Sequence, residues 1–268
     1  MHAGRLLRFC WLLTCAGIGG GGIEDAWAGA WLLPQGDGQA IVYSDFSDST
    51  RAFDAQGHLI PVRQYRKFEL GTYIEYGLTD WLTLVVAPAY DRVRNPPPGQ
   101  SYNGLGESEA AARVRLFQNE NSVISFQAGL RSPGAAFADS LGPFEVRRAA
   151  SLELRGLAGR SIDILGMESF VEAEAAYRLY AGNQPGEWLF DLTMGVRPLP
   201  SLLMMLQSFT SITNGTSNFG HVSWTKLQPS LVYNIAPQWS VQIGGFITIE
   251  GVNAGRELGP MVGIWYRF

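Results

Sequence analysis

Apolar side chains recur at every second position along most of this chain, and no apolar run is long enough to cross a membrane as a helix. The pattern is plainest at the end. In Gly259 to Phe268, Pro260, Val262, Ile264, Tyr266 and Phe268 fall on one face of an extended strand, and Met261, Gly263, Trp265 and Arg267 on the other. Such a strand belongs either to the edge of a soluble sandwich or to a barrel whose outer face meets lipid.

About twelve alternating segments can be read. The first three are Gln39 to Phe46, Gln64 to Tyr76 and Trp81 to Tyr90. Glu109 to Phe117, Val123 to Arg131 and Ala149 to Leu157 come next, then Ser169 to Leu179, Trp188 to Arg197 and Leu202 to Thr213. Trp224 to Tyr233, Trp239 to Ile249 and the strand ending at Phe268 complete the series. In the second, Phe68, Leu70, Thr72, Ile74 and Tyr76 share one face, opposed by Lys67, Glu69, Gly71 and Glu75. Connections alternate in length, as short periplasmic turns and long outside loops do. Ser47 to Arg63, Asp91 to Glu107, Ser132 to Val146 and Asn214 to Ser223 are long. Gly77 to Asp80, Gln118 to Asn121, Pro198 to Ser201 and Asn234 to Gln238 are tight. Two connections fit poorly: Ala158 to Glu168 is long for a periplasmic turn, and Ala181 to Glu187 is short for an outside loop. Aromatic residues gather at strand ends, with Tyr76, Trp81, Tyr233, Trp239, Tyr266 and Phe268 expected at one interface and Tyr90, Tyr177, Trp188 and Trp224 at the other.

The closing strand resembles the C-terminal strand of bacterial outer-membrane barrels. That resemblance makes Val262, Ile264, Tyr266 and Phe268 the expected signal read by the barrel-assembly machinery. The other end reads as a secretory signal: Arg5 and Arg8, an uncharged apolar run from Phe9 to Ile23, then the small-x-small site Ala26-Trp27-Ala28. A lipobox at Leu12 to Cys15 is the alternative, weakened by Thr14 before the cysteine. The expectation is a signal peptide over 1–28 and an all-β, closed antiparallel transmembrane β-barrel of about 12 strands over 29–268. It would lie in the bacterial outer membrane, with lipid and the assembly machinery as partners.

Composition narrows the chemistry. Both cysteines, Cys10 and Cys15, fall in the expected signal, which leaves the mature chain without a disulfide or a cysteine-held metal. A formal charge of -4 argues against nucleic acid as a partner. Mean hydropathy near zero is what alternating lipid-facing and lumen-facing residues average to.

Glu75-Tyr76-Gly77-Leu78-Thr79-Asp80-Trp81-Leu82-Thr83-Leu84 resembles a hairpin of the meta-pathway phenol-degradation family of outer-membrane transporters. The stretch Gly29 to Gly36 and the closing Tyr266-Arg267-Phe268 are similar in kind. The resemblance implies uptake linked to catabolism and supplies no catalytic, binding or cofactor residues.

The face opposite lipid carries the candidate lumenal groups. The basic ones are Lys67, Arg113, Arg115, Arg131, Arg155, Arg178, Arg197, Lys226 and Arg267; the acidic ones are Glu69, Glu75, Glu109, Glu153, Glu172, Glu174 and Asp191. Charges inside a membrane protein face a polar interior and pair. They either fill a closed barrel or line a pore, and nine basic against seven acidic would give at most a weak anion preference. Catalysis finds little support. His58 sits in a turn sequence, and His221 beside Ser223 is one neighbour rather than a triad. Two distant histidines do not make a metal site, and Asp45, Asp48 and Asp54 read as solvated loop residues before calcium ligands. No cofactor is expected. Two functions stay open: a channel or uptake barrel for small solutes, with aromatic or hydrophobic catabolic substrates as candidates, and a structural or adhesive barrel with a salt-bridged lumen.

Overall fold

The computed structural model describes residues 29–97, 99, 101–134, 149–182, 184–213, 215 and 220–268. The expected signal peptide, with Cys10 and Cys15, lies outside them. In chain order the strands are β1 (Gly38–Phe53), β2 (Leu59–Thr79), β3 (Leu82–Ala87), β4 (Ala89–Arg94), β5 (Tyr102–Leu105), β6 (Glu109–Gln118), β7 (Ser122–Arg131) and β8 (Ser151–Ile164). They continue with β9 (Met167–Tyr180), β10 (Glu187–Leu199), β11 (Leu202–Thr213), β12 (Val222–Asn234), β13 (Trp239–Val252), β14 (Ala254–Gly255) and β15 (Leu258–Arg267).

Each strand pairs antiparallel with its neighbour, and β1 closes the sheet by pairing with both β2 and β15. Closure leaves no sheet edge to lipid. The fifteen strands build twelve staves. β3 and β4 form one stave, interrupted at Pro88, which has no N–H for the ladder. β5 and β6 form the next, and the short β14 precedes β15 in the last.

Outward side chains are the expected ones. Leu70, Tyr76, Val86, Ile124, Leu130, Phe190, Leu192, Leu231, Val262, Ile264 and Phe268 all stand exposed. A soluble protein would hide such a belt, and a barrel in lipid requires it. Trp239, Tyr266 and Phe268 stack at the short-turn end, with centroids 4.5 and 5.8 Å apart. Tyr177 and Trp188 meet at 4.7 Å near the other end. Trp224 departs from the expected girdle. It is in phase with Lys226, whose ammonium lies 5.5 Å from its ring, and it lines the lumen.

Strand ends also differ from expectation. Residues 158–168 are not a loop: β8 and β9 run on to a turn of Leu165 and Gly166, both at positive φ (57° and 79°). The stretch from Ser47 to Arg63 is mostly strand, because β1 and β2 extend as a hairpin to a turn at 54–58. These corrections sharpen the asymmetry. Turns at 80–81, 119–121, 165–166, 200–201 and 235–238 share one end, the periplasmic end by the usual rule, and β1 begins and β15 ends there.

Candidate functional site: the barrel lumen

The interior is divided. Its lower part, toward the short turns, is occupied by the segment before β1. Ala30 is fully buried and packs with Val123 and Leu157, while Trp31 rests against Phe170 edge-to-face at 6.1 Å. Such an aromatic pair contributes about 0.5–1.5 kcal/mol beyond its buried area. A Cβ on Gly159 would strike the Trp31 ring, so this glycine makes the slot for the indole. Ile41, Phe170, Leu203, Met205, Val232 and Trp265 form an apolar core around it. The segment then leaves along the β2–β3 turn. Gly36 N–H donates to the Gly77 carbonyl at 2.8 Å, Gly77 N–H to the Asp37 carbonyl at 2.9 Å, and Gln35 N–H to Asp80 Oδ1 at 3.0 Å. The two stretches singled out in the sequence, Gly29 to Gly36 and Glu75 to Leu84, thus dock on one another.

Above the plug runs a network of arginines and carboxylates. Arg113 is 2 % exposed and donates to Glu75 (2.7 Å), Tyr73 (2.8 Å) and Gln127 (2.9 Å). Gln127 passes the chain on to Glu109 at 2.9 Å. Arg131 pairs with Glu107 (2.8 Å), Glu109 and Glu153 (2.9 Å). Arg155 meets Glu153 (2.8 Å), Glu174 and Asp191 (2.5 Å). Arg178 meets Glu153 (2.8 Å) and Glu187 (3.4 Å). Glu153 therefore takes three arginines, which is how a carboxylate only 1 % exposed keeps its charge inside a membrane protein. Across the barrel, Lys67 pairs with Glu69 (2.5 Å) and Asp91 (3.4 Å), Tyr43 donates to Glu69 (3.0 Å), and Lys226 pairs with Glu257 (2.6 Å). Glu172 accepts from Ala30 N–H at 2.9 Å.

Three of the sequence candidates stand apart. Arg115 lies beside a bulge at the short-turn end of β6, where it donates to exposed Gln118 at 2.6 Å. Arg197 and Arg267 occupy the same end of β10 and β15. Conversely, Asp45, Asp91, Glu107, Glu187 and Glu257 join the lumenal chemistry although the sequence reading left them out. Asp45, expected as a solvated loop residue, belongs to β1 and faces the lumen, and Asp91, Glu107 and Glu187 fall in stretches expected as connections. Extending the period-two phase of each strand outward by a few residues would have found Asp91 and Glu187.

A cavity of about 630 Å³ remains between the network and the opposite wall. Its lining combines the charged groups of both networks with the apolar Ile41, Phe170, Leu189, Met205, Phe209, Trp224, Met261 and Trp265. No cluster of three metal-ligating side chains occurs among the described residues. His221 Nδ1 donates to the Thr213 carbonyl at 2.7 Å rather than engaging Ser223, and His58 is an exposed turn residue 3.6 Å from Asp54.

No protein-family model matches the chain, and no curated protein matches it. Solved structures do. The COG4313 outer membrane channel from Pseudomonas putida F1 superposes with a TM-score of 0.70 at 15 % identity, over 89 % of this chain and 98 % of that one. The translocator domain of the autotransporter NalP from Neisseria meningitidis gives 0.53 at 12 %, covering 88 % and 90 %. The NanC porin gives 0.52 at 7 %, covering 84 % and 98 %. The fold is that of a bacterial outer-membrane β-barrel, and the apolar outer belt places the protein in that membrane.

Proposed function

We propose that the protein is a narrow outer-membrane channel for small amphiphilic solutes. The observation that carries this reading is the lumenal cavity, lined by guanidinium–carboxylate pairs together with aromatic and sulfur-containing side chains. Such a mixed lining suits a solute with a polar group and an apolar or aromatic body. The likeness of fold to the Pseudomonas putida channel and to a porin supports a channel role, and the phenol-degradation resemblance supports aromatic compounds as candidates. The lumenal carboxylates outnumber the lumenal cations once Asp45, Asp91, Glu187 and Glu257 are included, so the weak preference expected of a water-filled path turns from anions to cations.

A second reading keeps the barrel closed. The plug around Ala30 and Trp31 favours it, because that segment fills the periplasmic half of the interior. Proteoliposome uptake separates the two. A channel admits a small neutral phenol with a polar substituent faster than a sugar of similar mass, and a closed barrel admits neither above protein-free vesicles.

A further inference from the structure

The plug points its first backbone groups at a pair of carboxylates. Glu172 and Glu174 project from one face of β9, two residues apart. Arg155 pairs with Glu174, whereas among the described residues Glu172 has no lysine or arginine partner. What Glu172 touches is the start of the plug. Ala30 N–H donates to its Oε2 at 2.9 Å, and a Cβ on Gly29 would fall within the carboxylate itself. The next groups are clamped too: Arg113 donates to the Gly29 carbonyl, and Ser125 to the Ala30 carbonyl at 2.5 Å. Gly29 has a φ of +90°, which side-chain-bearing residues rarely adopt.

We propose that cutting the Ala28–Gly29 bond creates the ligand of this site, the α-ammonium of Gly29, and that Glu172 and Glu174 bind it inside the barrel. The proposal rests on the cleavage signature Ala26-Trp27-Ala28 and is independent of the channel reading. In the cut, catalysed by a signal peptidase, water adds across the peptide bond. Ala28 leaves as the carboxylate end of the released peptide, and the Gly29 nitrogen becomes an amine that takes up a proton. An amide nitrogen with one N–H becomes a cation with three donors, next to the Glu172 carboxylate, which among the described residues has no cationic partner. Charge-assisted bonds of this kind are about twice as strong as neutral ones. Glycine is required at this position because any side chain would displace the carboxylate that binds the amine. Processing therefore also fastens the plug, whose far end is held at Gly77 and Asp80.

The test uses mature protein purified from outer membranes. Mass spectrometry identifies its first residue, and acetylation at neutral pH reads the accessibility of the terminal amine. The expected result is a chain starting at Gly29 whose amine reacts about tenfold or more slowly in the folded barrel than after heat denaturation. Glu172→Gln removes the charge without opening space, and Gly29→Ala keeps both carboxylates but cannot seat the chain. Each is expected to speed labelling in barrels that still migrate as folded. A different first residue, fast labelling of the folded wild type, or unchanged protection in both variants would overturn the proposal.

Discussion

Phe268, the last residue, pairs with Gly38, the first residue of β1. Gly38 N–H donates to the Phe268 carbonyl at 2.7 Å, Phe268 N–H donates back to Gly38 at 2.9 Å, and the Phe268 ring lies where a Cβ of Gly38 would be. The seam that closes the barrel thus ends in a mutual fit of ring and glycine. Deleting Phe268, or changing Gly38 to Val, is expected to lower the folded, heat-modifiable fraction in outer membranes while export continues. An unchanged folded yield in both variants would count against Val262, Ile264, Tyr266 and Phe268 as the assembly signal.

Lipid exposure sets a graded cost for charge. Leu192 is 58 % exposed halfway along β10, whereas Leu84 lies close to the β2–β3 turn. Leu192→Arg is expected to cost about 2–4 kcal/mol, and Leu84→Arg less, because the penalty falls toward the interface. Urea unfolding in lipid vesicles measures both. Equal penalties would mean that the barrel sits at a different depth.

Arg155 holds Glu153, Glu174 and Asp191 together. Arg155→Met leaves three carboxylates short of a partner in the interior, and such removals cost about 3–5 kcal/mol. The variant is expected to unfold at lower urea, and to recover part of the loss when Glu174→Gln is added. Additive losses in the double variant would show that the two groups do not interact.

At the outer tip, the backbone N–H groups of His58 and Gln56 hold the Asp54 carboxyl below the usual carboxylate range. A depressed value makes the contribution to turn order present above the ordinary carboxylate value and lost as pH falls through the lowered one. The His58 and Gln56 amides are therefore expected to stay protected from exchange at pH 4.5 or about half a unit above the free-carboxylate value, and to lose protection only in stronger acid. Loss of protection already near neutral pH would contradict this, and Asp54→Asn should weaken the dependence.

The fold was legible because lipid and lumen impose opposite demands on alternate residues, which a period of two records directly. Strand ends were harder to read. Ser161 to Ile164 pair fully with 167–170, and Ile162 and Ile164 keep the period of two, but only the ladder shows where the strand stops. The charged face was legible residue by residue, but which arginine meets which carboxylate was not. Arg113 and Arg115 share a strand face, yet Arg113 joins the buried network and Arg115 turns to exposed Gln118. The plug was least legible: Trp31 acquires a partner only when Gly159 and Phe170 come together from β8 and β9.

The central claim, a narrow conducting lumen of mixed charge, is tested most directly by single-channel recording of the purified barrel in a planar bilayer under a salt gradient. The account predicts small, discrete conductance steps with a weak cation preference, and a shift toward anions when Asp45 and Asp91 are both changed to Asn. A bilayer that takes up folded protein and shows no steps would contradict it and leave the closed barrel as the better description.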